Sequence, residues 1–406
     1  MQLALRLARR GFGATSPNPM VGAVLVKRGK MIGRGWHHRA GLPHAEIEAL
    51  RDAAKRGENP KGATLYVTLE PCSTHGRTPP CSGAIIAAGI KQVVVGTIDP
   101  NPRHGGEGLK ILRRAGVEVI DFSAGKARHS VRAISLPSGK RHARSDASYL
   151  QIAEECRALN EAFNHWIVHR TPLVTVKASM TLDGKIATAS GEAKWITSAE
   201  SRQFAMTLRR GADAILAGIN TVLADDPMLT VRIGNIERRT SNVEHRRLRR
   251  IVLDSMARTP LSAKVVSDEF AELTTVVVSR NAPKKRVEAL KKRVNVMIAP
   301  EDAKRRRARS GAPCQIDLRW LLKKLGAENV TSLLIEGGGE VNASFLAGGL
   351  AQRIAFFYAP KVLGGRDSRK GVAGEGARSI KEILQLQNIE WQKTGPDLFM
   401  TARIKD

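Results

Sequence analysis

Segments typical of strands and of helices alternate along this chain, and this alternation limits the folds that it can adopt. Short runs rich in β-branched residues occur at 21–26, 63–69 and 91–98, and segments with helical character at 45–55 and 108–116 separate or follow them. Parallel strands need crossover connections of this kind, and helices then cover both faces of the sheet. The pattern therefore predicts an α/β protein with largely parallel sheets.

A basic stretch at 123–150 interrupts the alternation, which then resumes with new strands and helices, including one for which Ser198 is a plausible N-cap. A chain of 406 residues is also too long for one ordinary core. We expect the domain boundary between 121 and 170. The prediction is a first domain at 1–122, a basic linker or insertion at 123–150, and a second domain at 151–406.

Simple counts exclude two classes of protein. No run of eighteen apolar residues occurs, so no membrane span is predicted. The Arg-rich N-terminus could be mistaken for a transit peptide, but its apolar spacing suits a short helix, and we expect a cytoplasmic protein. Four cysteines are too few for a disulfide framework in a chain of this length: Cys72, Cys81, Cys156 and Cys314.

The charge of the chain resembles that of a nucleic-acid binder, with a formal net charge of +28 and a pI near 10.6. Four short segments, however, carry +19 of it: 123–150, 238–250, 284–293 and 302–309. We interpret these segments as exposed loops, with an RNA-contacting or anion-binding surface as the alternative. Nucleic-acid binding is predicted to be weak and incidental.

Two cysteines enclose eight residues in EPCSTHGRTPPC (70–81), and PHAE (43–46) precedes them. A His two residues before a Glu, followed by Pro-Cys, fits the elements of zinc-dependent base deaminases. One imidazole and two thiolates fix Zn²⁺ and leave a position for water, and a neighbouring carboxylate can move the proton. A buried apolar pair and a disulfide are the alternatives, and the order of the segments favours zinc.

The segments TSPNPMVGAVLV, GLPHAEIEAL, YVTLEPCSTHGRTPPC and DPNP together resemble the bifunctional riboflavin biosynthesis proteins, in which a pyrimidine deaminase is fused to a reductase. The eight-residue spacing of the cysteines is that family's variant of the zinc motif. The resemblance implies a cytidine-deaminase-like three-layer domain in which His44, Cys72 and Cys81 bind zinc and Glu46 is the catalytic proton shuttle. It implies contacts to the pyrimidine or its phosphate at Asn18, His75, Arg77 and Asn101.

No G-x-G-x-x-G follows a strand in the second half, so the dinucleotide fingerprint is absent. A strand, three glycines and a helix at 333–346 could bind a phosphate, or could be a glycine turn without a ligand. The segments VKASMTLDGKIA, SGEAKWITS, LRRGADAILAGINTVLADDPMLTVR, IVLDS and LIEGGG resemble, in order, the reductase domain of the same family. That domain resembles dihydrofolate reductase in fold and takes its hydride from NADPH.

This second resemblance implies two sets of binding residues. Those for NADPH are Ser179, Trp195, Thr221, Asp225, Ser255 and the loop that begins Gly337, Gly338, Gly339 and runs to Ser344. Those for the substrate are Ala193, Arg209, Leu229, Arg232 and Glu336. Arg209 and Arg232 suit a ribose phosphate as charge-assisted partners. Lys177 and Asp183 are candidate catalytic proton sources, although either could be structural.

The predicted function is two consecutive steps of riboflavin synthesis. The first is hydrolytic deamination of a 2,5-diamino-6-(5-phosphoribosylamino)pyrimidinone with Zn²⁺. The second is reduction of the ribosyl group with NADPH, which gives 5-amino-6-(5-phosphoribitylamino)uracil. We expect a homo-oligomer, dimer or tetramer, acting on a small molecule. The alternative is a nucleic-acid-editing deaminase with an accessory domain, which leaves the second half and the cysteine spacing unexplained.

Overall fold

The computed structural model of the chain describes residues 1–75, 79–123, 146–232, 248–300 and 316–405, with the backbone alone at 146–148. Some residues named above lie outside the described residues: Arg77, Cys314, all of 302–309, and most of 123–150 and 238–250. The described residues form two compact units, Met1–His169 and Arg170–Asp406. Both units are mixed α/β, which confirms the predicted fold class.

The first unit contains the following helices and strands: α1 (Gln2–Ala8), β1 (Gly22–Lys27), β2 (Lys30–Trp36), α2 (Ala45–Lys55), β3 (Thr64–Val67), α3 (Cys81–Ala87), β4 (Gln92–Val95), α4 (Glu107–Arg114), β5 (Glu118–Asp121), α5 (Asp146–Leu159) and α6 (Glu161–His169). The strands form one sheet in the order β2-β1-β3-β4-β5. Strand β1 is antiparallel to both neighbours, whereas β3, β4 and β5 are parallel.

Helices cover both faces of this sheet and make three layers. Strand residues such as Leu65 and Val93 pack against apolar residues of α2, α3 and α4 on one face. On the other face, α1 packs against Val24 and α5 packs against Val94. The approach of α1 is close, because a Cβ added at Gly22 would lie 2.0 Å from the Ala4 carbonyl oxygen.

Helices α5 and α6 belong to the first unit, whereas the sequence assigned residues from 151 onward to the second domain. Ala153 packs with Val94 and Phe122 in a small apolar cluster on the sheet of the first unit. A Cβ added at Gly96 would lie 2.4 Å from the Cys156 sulfur, so α5 lies directly on the end of β4. Helical spacing indicates which face of a helix is buried, but it does not specify the sheet that buries that face.

The second unit contains β6 (Leu173–Thr181), β7 (Lys185–Ala187), α7 (Ala199–Gly211), β8 (Ala214–Gly218), α8 (Ile219–Asp225), β9 (Arg249–Leu253), α9 (Lys264–Ser267), β10 (Thr274–Ser279), α10 (Lys284–Lys291), β11 (Asn295–Ala299), α11 (Leu318–Ala327), β12 (Ser332–Ile335), α12 (Gly339–Ala347), β13 (Arg353–Ala359), β14 (Arg369–Lys370), β15 (Leu386–Thr394) and β16 (Asp397–Ile404). The main sheet has the order β11-β10-β9-β8-β12-β6-β13-β16-β15, and β14 pairs with β7 apart from it. The strands from β11 to β13 are parallel, and β16 and β15 are antiparallel additions at one edge.

Apolar layers cover both faces of the parallel part of the sheet, as the near-continuous apolar strands predict. The segment at 284–293, interpreted above as a loop, is mostly the helix α10, which buries Val287 and Leu290 and exposes its basic side chains. Within the described part of the chain, no helix is long and apolar enough to cross a membrane.

Candidate active sites

Three potential metal ligands converge at one end of the first unit. His44 is the N-cap of α2, Cys81 is the first residue of α3, and Cys72 lies in the segment that follows β3. The His44 Nδ1 atom lies 3.3 Å from the Cys81 sulfur and 3.5 Å from the Cys72 sulfur. Tetrahedral zinc with ordinary bond lengths would hold a nitrogen and a sulfur ligand about 3.6 Å apart. The three side chains therefore fit a zinc ion.

The two cysteines are free thiols and do not form a disulfide. A hydrogen bond from the Cys81 thiol lowers the pKa of Cys72 to about 4, and His44 adds to this effect. The same interaction raises the pKa of Cys81. The backbone N–H of Cys81 also donates to the Cys72 sulfur at 3.3 Å. Such a pair is a ready donor set for a cation that prefers thiolate ligands.

Glu46 lies next to this cluster in the first turn of α2 and is 3% exposed. Burial raises the pKa of its carboxyl group to about 7, and its side chain also hydrogen-bonds with that of Cys81. A carboxyl group that binds and releases a proton near neutral pH is suited to general acid–base catalysis.

His37 is a buried residue near the cluster that the sequence analysis missed. Its Nδ1 atom lies 3.1 Å from the Pro43 carbonyl oxygen, and its ring meets the ring of His44 edge-on at 5.2 Å. Because a carbonyl only accepts, Nδ1 carries the hydrogen, and Nε2 accepts from the Asn18 amide at 3.1 Å. His37 therefore sets the orientation of Asn18, although no sequence motif marks it out.

Glu70 is a second missed residue, and it anchors the segment that contains Asn101. Its carboxylate is 7% exposed and accepts hydrogen bonds from the backbone N–H groups of Asp99, Gly106 and Gly108 at 2.8 to 3.1 Å. The Asn101 side-chain oxygen accepts from the Arg103 N–H within this segment. Glu70 thus ties the 99–108 segment to the strand end that leads to Cys72. His75, three residues after Cys72 in the chain, is exposed.

Several predicted cofactor residues of the second unit lie at one edge of the parallel sheet. Ser179 is near the end of β6, and Thr221, Ser255 and Gly337 follow β8, β9 and β12. The carboxyl ends of parallel strands share an edge, where ligands of open α/β sheets bind. Five other predicted residues of this unit differ in exposure. Leu229 is buried, whereas Trp195 is 66% exposed with the Arg202 guanidinium 4.5 Å from its ring centre, and the remaining three are Ala193, Asp225 and Arg232.

The three glycines after β12 differ in their surroundings. A Cβ added at Gly337 would lie 2.6 Å from the Val341 Cβ, and one at Gly339 would lie 2.2 Å from the Lys370 carbonyl oxygen. A Cβ at Gly338 would meet only the Thr221 hydroxyl, at 3.8 Å. Packing within the protein therefore requires the outer two glycines, and the middle one faces open space beside Thr221.

Arg209, Glu336 and Lys177 form a buried charged cluster. Arg209 donates to both Glu336 oxygens at 2.8 and 2.9 Å and to the Thr230 carbonyl at 2.8 Å, and Lys177 Nζ lies 3.7 Å from Glu336. Burial opposes ionisation of Glu336, but Arg209 and Lys177 outweigh it and hold its pKa at about 2. Burial lowers the pKa of Lys177. Arg209 is thus an internal partner of Glu336, with three donors already in use.

Asp183 is poorly suited to the role of proton source that the sequence suggested. Its carboxylate accepts hydrogen bonds from the Thr181 hydroxyl at 2.6 Å and from the N–H groups of Leu363 and Gly364 at 3.0 and 2.8 Å. These bonds lower its pKa to about 2. Asp183 is therefore ionised at neutral pH and holds the segment after β13, which leaves Lys177 as the candidate.

Comparison with protein families agrees with this division into two units. The family described as the RibD C-terminal domain matches residues 172–400. The family described as the cytidine and deoxycytidylate deaminase zinc-binding region matches residues 1–97.

Individual relatives match over nearly the whole chain. The riboflavin biosynthesis protein RibD of Aquifex aeolicus is 42% identical over 98% of this chain and 96% of its own length. RibD of Escherichia coli is 37% identical over 98% of this chain and 96% of its own length. Among solved structures, Acinetobacter baumannii RibD superposes with a TM-score of 0.79 at 31% identity, covering 100% of this chain and 98% of that one. A Thermotoga maritima diaminohydroxyphosphoribosylaminopyrimidine deaminase/5-amino-6-(5-phosphoribosylamino)uracil reductase gives 0.75 at 31% identity, covering 100% and 97%.

Proposed function

We propose which residues catalyse the two reactions of this chain, which belongs to the RibD family of riboflavin biosynthesis proteins and is a bifunctional deaminase and reductase. The convergence of His44, Cys72 and Cys81 beside the buried Glu46 carries the proposal for the first unit. The substrate we propose is the phosphoribosylaminopyrimidine in the name of the Thermotoga maritima relative.

In the deamination step, His44, Cys72 and Cys81 would hold zinc, which would supply a water molecule of lowered pKa. Glu46 takes one proton from the attacking water and gives it to the pyrimidine ring nitrogen, then takes the second proton from the same oxygen and gives it to the leaving amine. A carbon–oxygen bond forms, the carbon–nitrogen bond breaks, and ammonia leaves. The Asn18 amide contacts the pyrimidine, and His75, Arg77 and Asn101 contact the remainder of the substrate or its phosphate.

In the reduction step, NADPH binds at the carboxyl edge of the sheet in the second unit. Gly338, where the glycine turn is open beside Thr221, would hold its phosphates. Bound NADPH would supply a hydride for the anomeric carbon of the ribosyl group, and Lys177 gives a proton to the ring oxygen when its bond to that carbon breaks. Glu336 keeps Lys177 and Arg209 in place, and Arg232, which is exposed, is the arginine that we assign to the substrate phosphate.

We also propose a homo-oligomer in a cytoplasmic setting. Strand β15 is an edge strand whose Ile389 and Trp391 are 51% and 60% exposed. An exposed edge with apolar side chains is a template for pairing with another chain, and we propose a second copy as the partner. The cytoplasm keeps thiols reduced, as the metal-binding role of Cys72 and Cys81 requires.

Two assays on the full chain test the assignment of the first site. Glu46→Gln keeps the size of the side chain but removes the proton shuttle, so deamination should fall by about a hundredfold to ten-thousandfold. The same variant should retain about one zinc per chain. It should also oxidise NADPH at close to the parent rate when the deaminated intermediate is supplied, because reduction uses the second unit.

Cys81→Ala is the matched variant at the metal ligand, and it should lose both zinc and deamination while keeping reduction. Full zinc occupancy in Cys81→Ala would refute the ligand assignment. Loss of reduction in a folded Glu46→Gln protein would show that the two sites are not independent.

A further inference from the structure

Asn160 lies in the one-residue break between α5 and α6 and reaches a loop 140 residues earlier in the chain. Its Oδ1 atom accepts a hydrogen bond from the Met20 N–H at 2.7 Å, and its Nδ2 atom donates to the Met20 carbonyl at 2.9 Å. The residue is 5% exposed. One side-chain amide therefore satisfies both backbone groups of Met20 and fixes its position along two directions.

Met20 is two residues after Asn18, the proposed pyrimidine contact. The Asn18 N–H donates to the Thr15 carbonyl at 2.9 Å, and its side-chain amide donates to His37. The loop is thus held at Thr15 before Asn18 and by Asn160 after it. A shift of Met20 would move Asn18 relative to His37 and to the zinc ligand beside it.

The residues on either side of Asn160 in the chain are themselves held by packing and hydrogen bonds. Cys156, four residues earlier, lies against Gly96 at the end of β4, and the Asn160 carbonyl accepts the Asn164 N–H at 2.8 Å in α6. Buried groups in close packing transmit displacement rather than absorb it. The position of Met20 therefore depends on helices that the sequence assigned to the other half of the protein.

We infer that Asn160 is a positioning residue of the deaminase: by holding Met20 it places the Asn18 amide where the pyrimidine binds. The inference rests on the role proposed above for Asn18. A purely structural Asn160 would affect stability alone, whereas a positioning residue affects substrate binding with the zinc ion and Glu46 intact.

The test uses Asn160→Asp in the full chain, a change of one atom that places a carboxylate oxygen against the Met20 carbonyl. We expect the KM for deamination to rise about tenfold with kcat changed less than about twofold, because a binding contact is lost and the proton shuttle is untouched. Zinc content and reduction of the supplied intermediate should stay at parent values. Asn164→Asp is the matched control, since its amide donates to the Arg157 carbonyl within the same two helices, and it should leave KM unchanged.

A double-mutant cycle tests whether Asn160 affects the KM through Asn18. If Asn160 acts through Asn18, adding Asn160→Asp to Asn18→Ala should change KM little further, because the contact that Asn160 positions is already gone. Additive effects, an unchanged KM in Asn160→Asp, or an equal rise in Asn164→Asp would overturn the inference while leaving the role of Asn18 intact. An unchanged KM in Asn18→Ala would instead refute the proposed role of Asn18 and, with it, this mechanism.

Discussion

At the scale of single residues, the second unit is organised around one buried carboxylate. Glu336 is the counter-ion of both Arg209 and Lys177, whose side chains are 10% and 15% exposed. Two buried cations without a counter-ion are costly, because both would lose solvation without compensation. Glu336 therefore supports the fold as well as the proposed reductase site.

Glu336→Gln should lower the free energy of unfolding by about 3 to 5 kcal/mol, the cost expected when one partner of a buried ion pair is removed. The surface pair of Glu328 with Arg249 provides the matched control, and Glu328→Gln should cost less than about 1 kcal/mol. Denaturant unfolding of both variants at neutral pH measures the difference. Equal losses would show that the buried cluster contributes no more than a surface pair.

The same carboxylate predicts a dependence of stability on pH. Its pKa falls from an ordinary value of 4.5 to about 2 on folding, so the folded state holds its proton less tightly than the unfolded state. The contribution of Glu336 to the free energy of unfolding is present above pH 4.5 and is lost as the pH falls toward 2. Glu336→Gln should lack this component of acid destabilisation.

At the scale of elements, the turn between β12 and α12 combines packing with a candidate binding surface. Gly339 begins α12 against the Lys370 carbonyl, whereas Gly338 is the N-cap and faces open space. Packing therefore requires a glycine at 339, whereas at 338 a glycine leaves space for a ligand, and substitutions can test the two effects separately.

Gly338→Ala should fold normally, because its φ of −73° suits any residue and the new methyl meets only the Thr221 hydroxyl at 3.8 Å. Its KM for NADPH should rise about tenfold or more if the phosphates approach this position, since the methyl group occupies their space. Gly339→Ala should instead lose stability, because its methyl would lie 2.2 Å from a carbonyl oxygen. Normal NADPH kinetics in Gly338→Ala would place the cofactor elsewhere.

At the scale of the whole molecule, one edge of the nine-stranded sheet is left uncovered by the described part of the single chain, although it carries large apolar side chains. Strand β15 pairs with β16 on one side, and most of its residues are exposed. Trp391 contributes a large apolar surface there, with its ring 6.1 Å from that of Tyr358.

Trp391→Glu should disrupt the proposed oligomer, because a charge would have to be buried at the pairing edge. Light scattering of the parent should give at least twice the chain mass of 44.1 kDa, and the variant should shift toward the single-chain mass. Leu261→Glu, at another exposed apolar residue, is the control and should keep the parent mass. A monomeric parent, or an unchanged mass in Trp391→Glu, would contradict this interface.

Local patterns in the sequence were sufficient for the fold class, for most strands and helices, and for the candidate zinc ligands. The Ser198 cap, for example, forms as predicted, with its hydroxyl accepting the Ser201 N–H. The candidate ligands His44, Cys72 and Cys81 lie close together in the sequence, and one imidazole with two thiolates at such spacings is typical of a zinc site. Their assignment as a zinc site stays a prediction that the geometry supports.

Contacts between distant segments were decided only by the tertiary structure. Asp183 meets Leu363 and Gly364 some 180 residues later, Arg209 meets Glu336 across 127 residues, and Asn160 meets Met20 across 140. Periodicity states which face of an element is buried, but the partner of that face depends on how the whole chain closes. For this reason the sequence left Asp183 as either a candidate proton source or a structural residue and assigned 151–169 to the second domain. In the structure, the Asp183 carboxylate binds the 363–364 segment, and 151–169 belongs to the first unit.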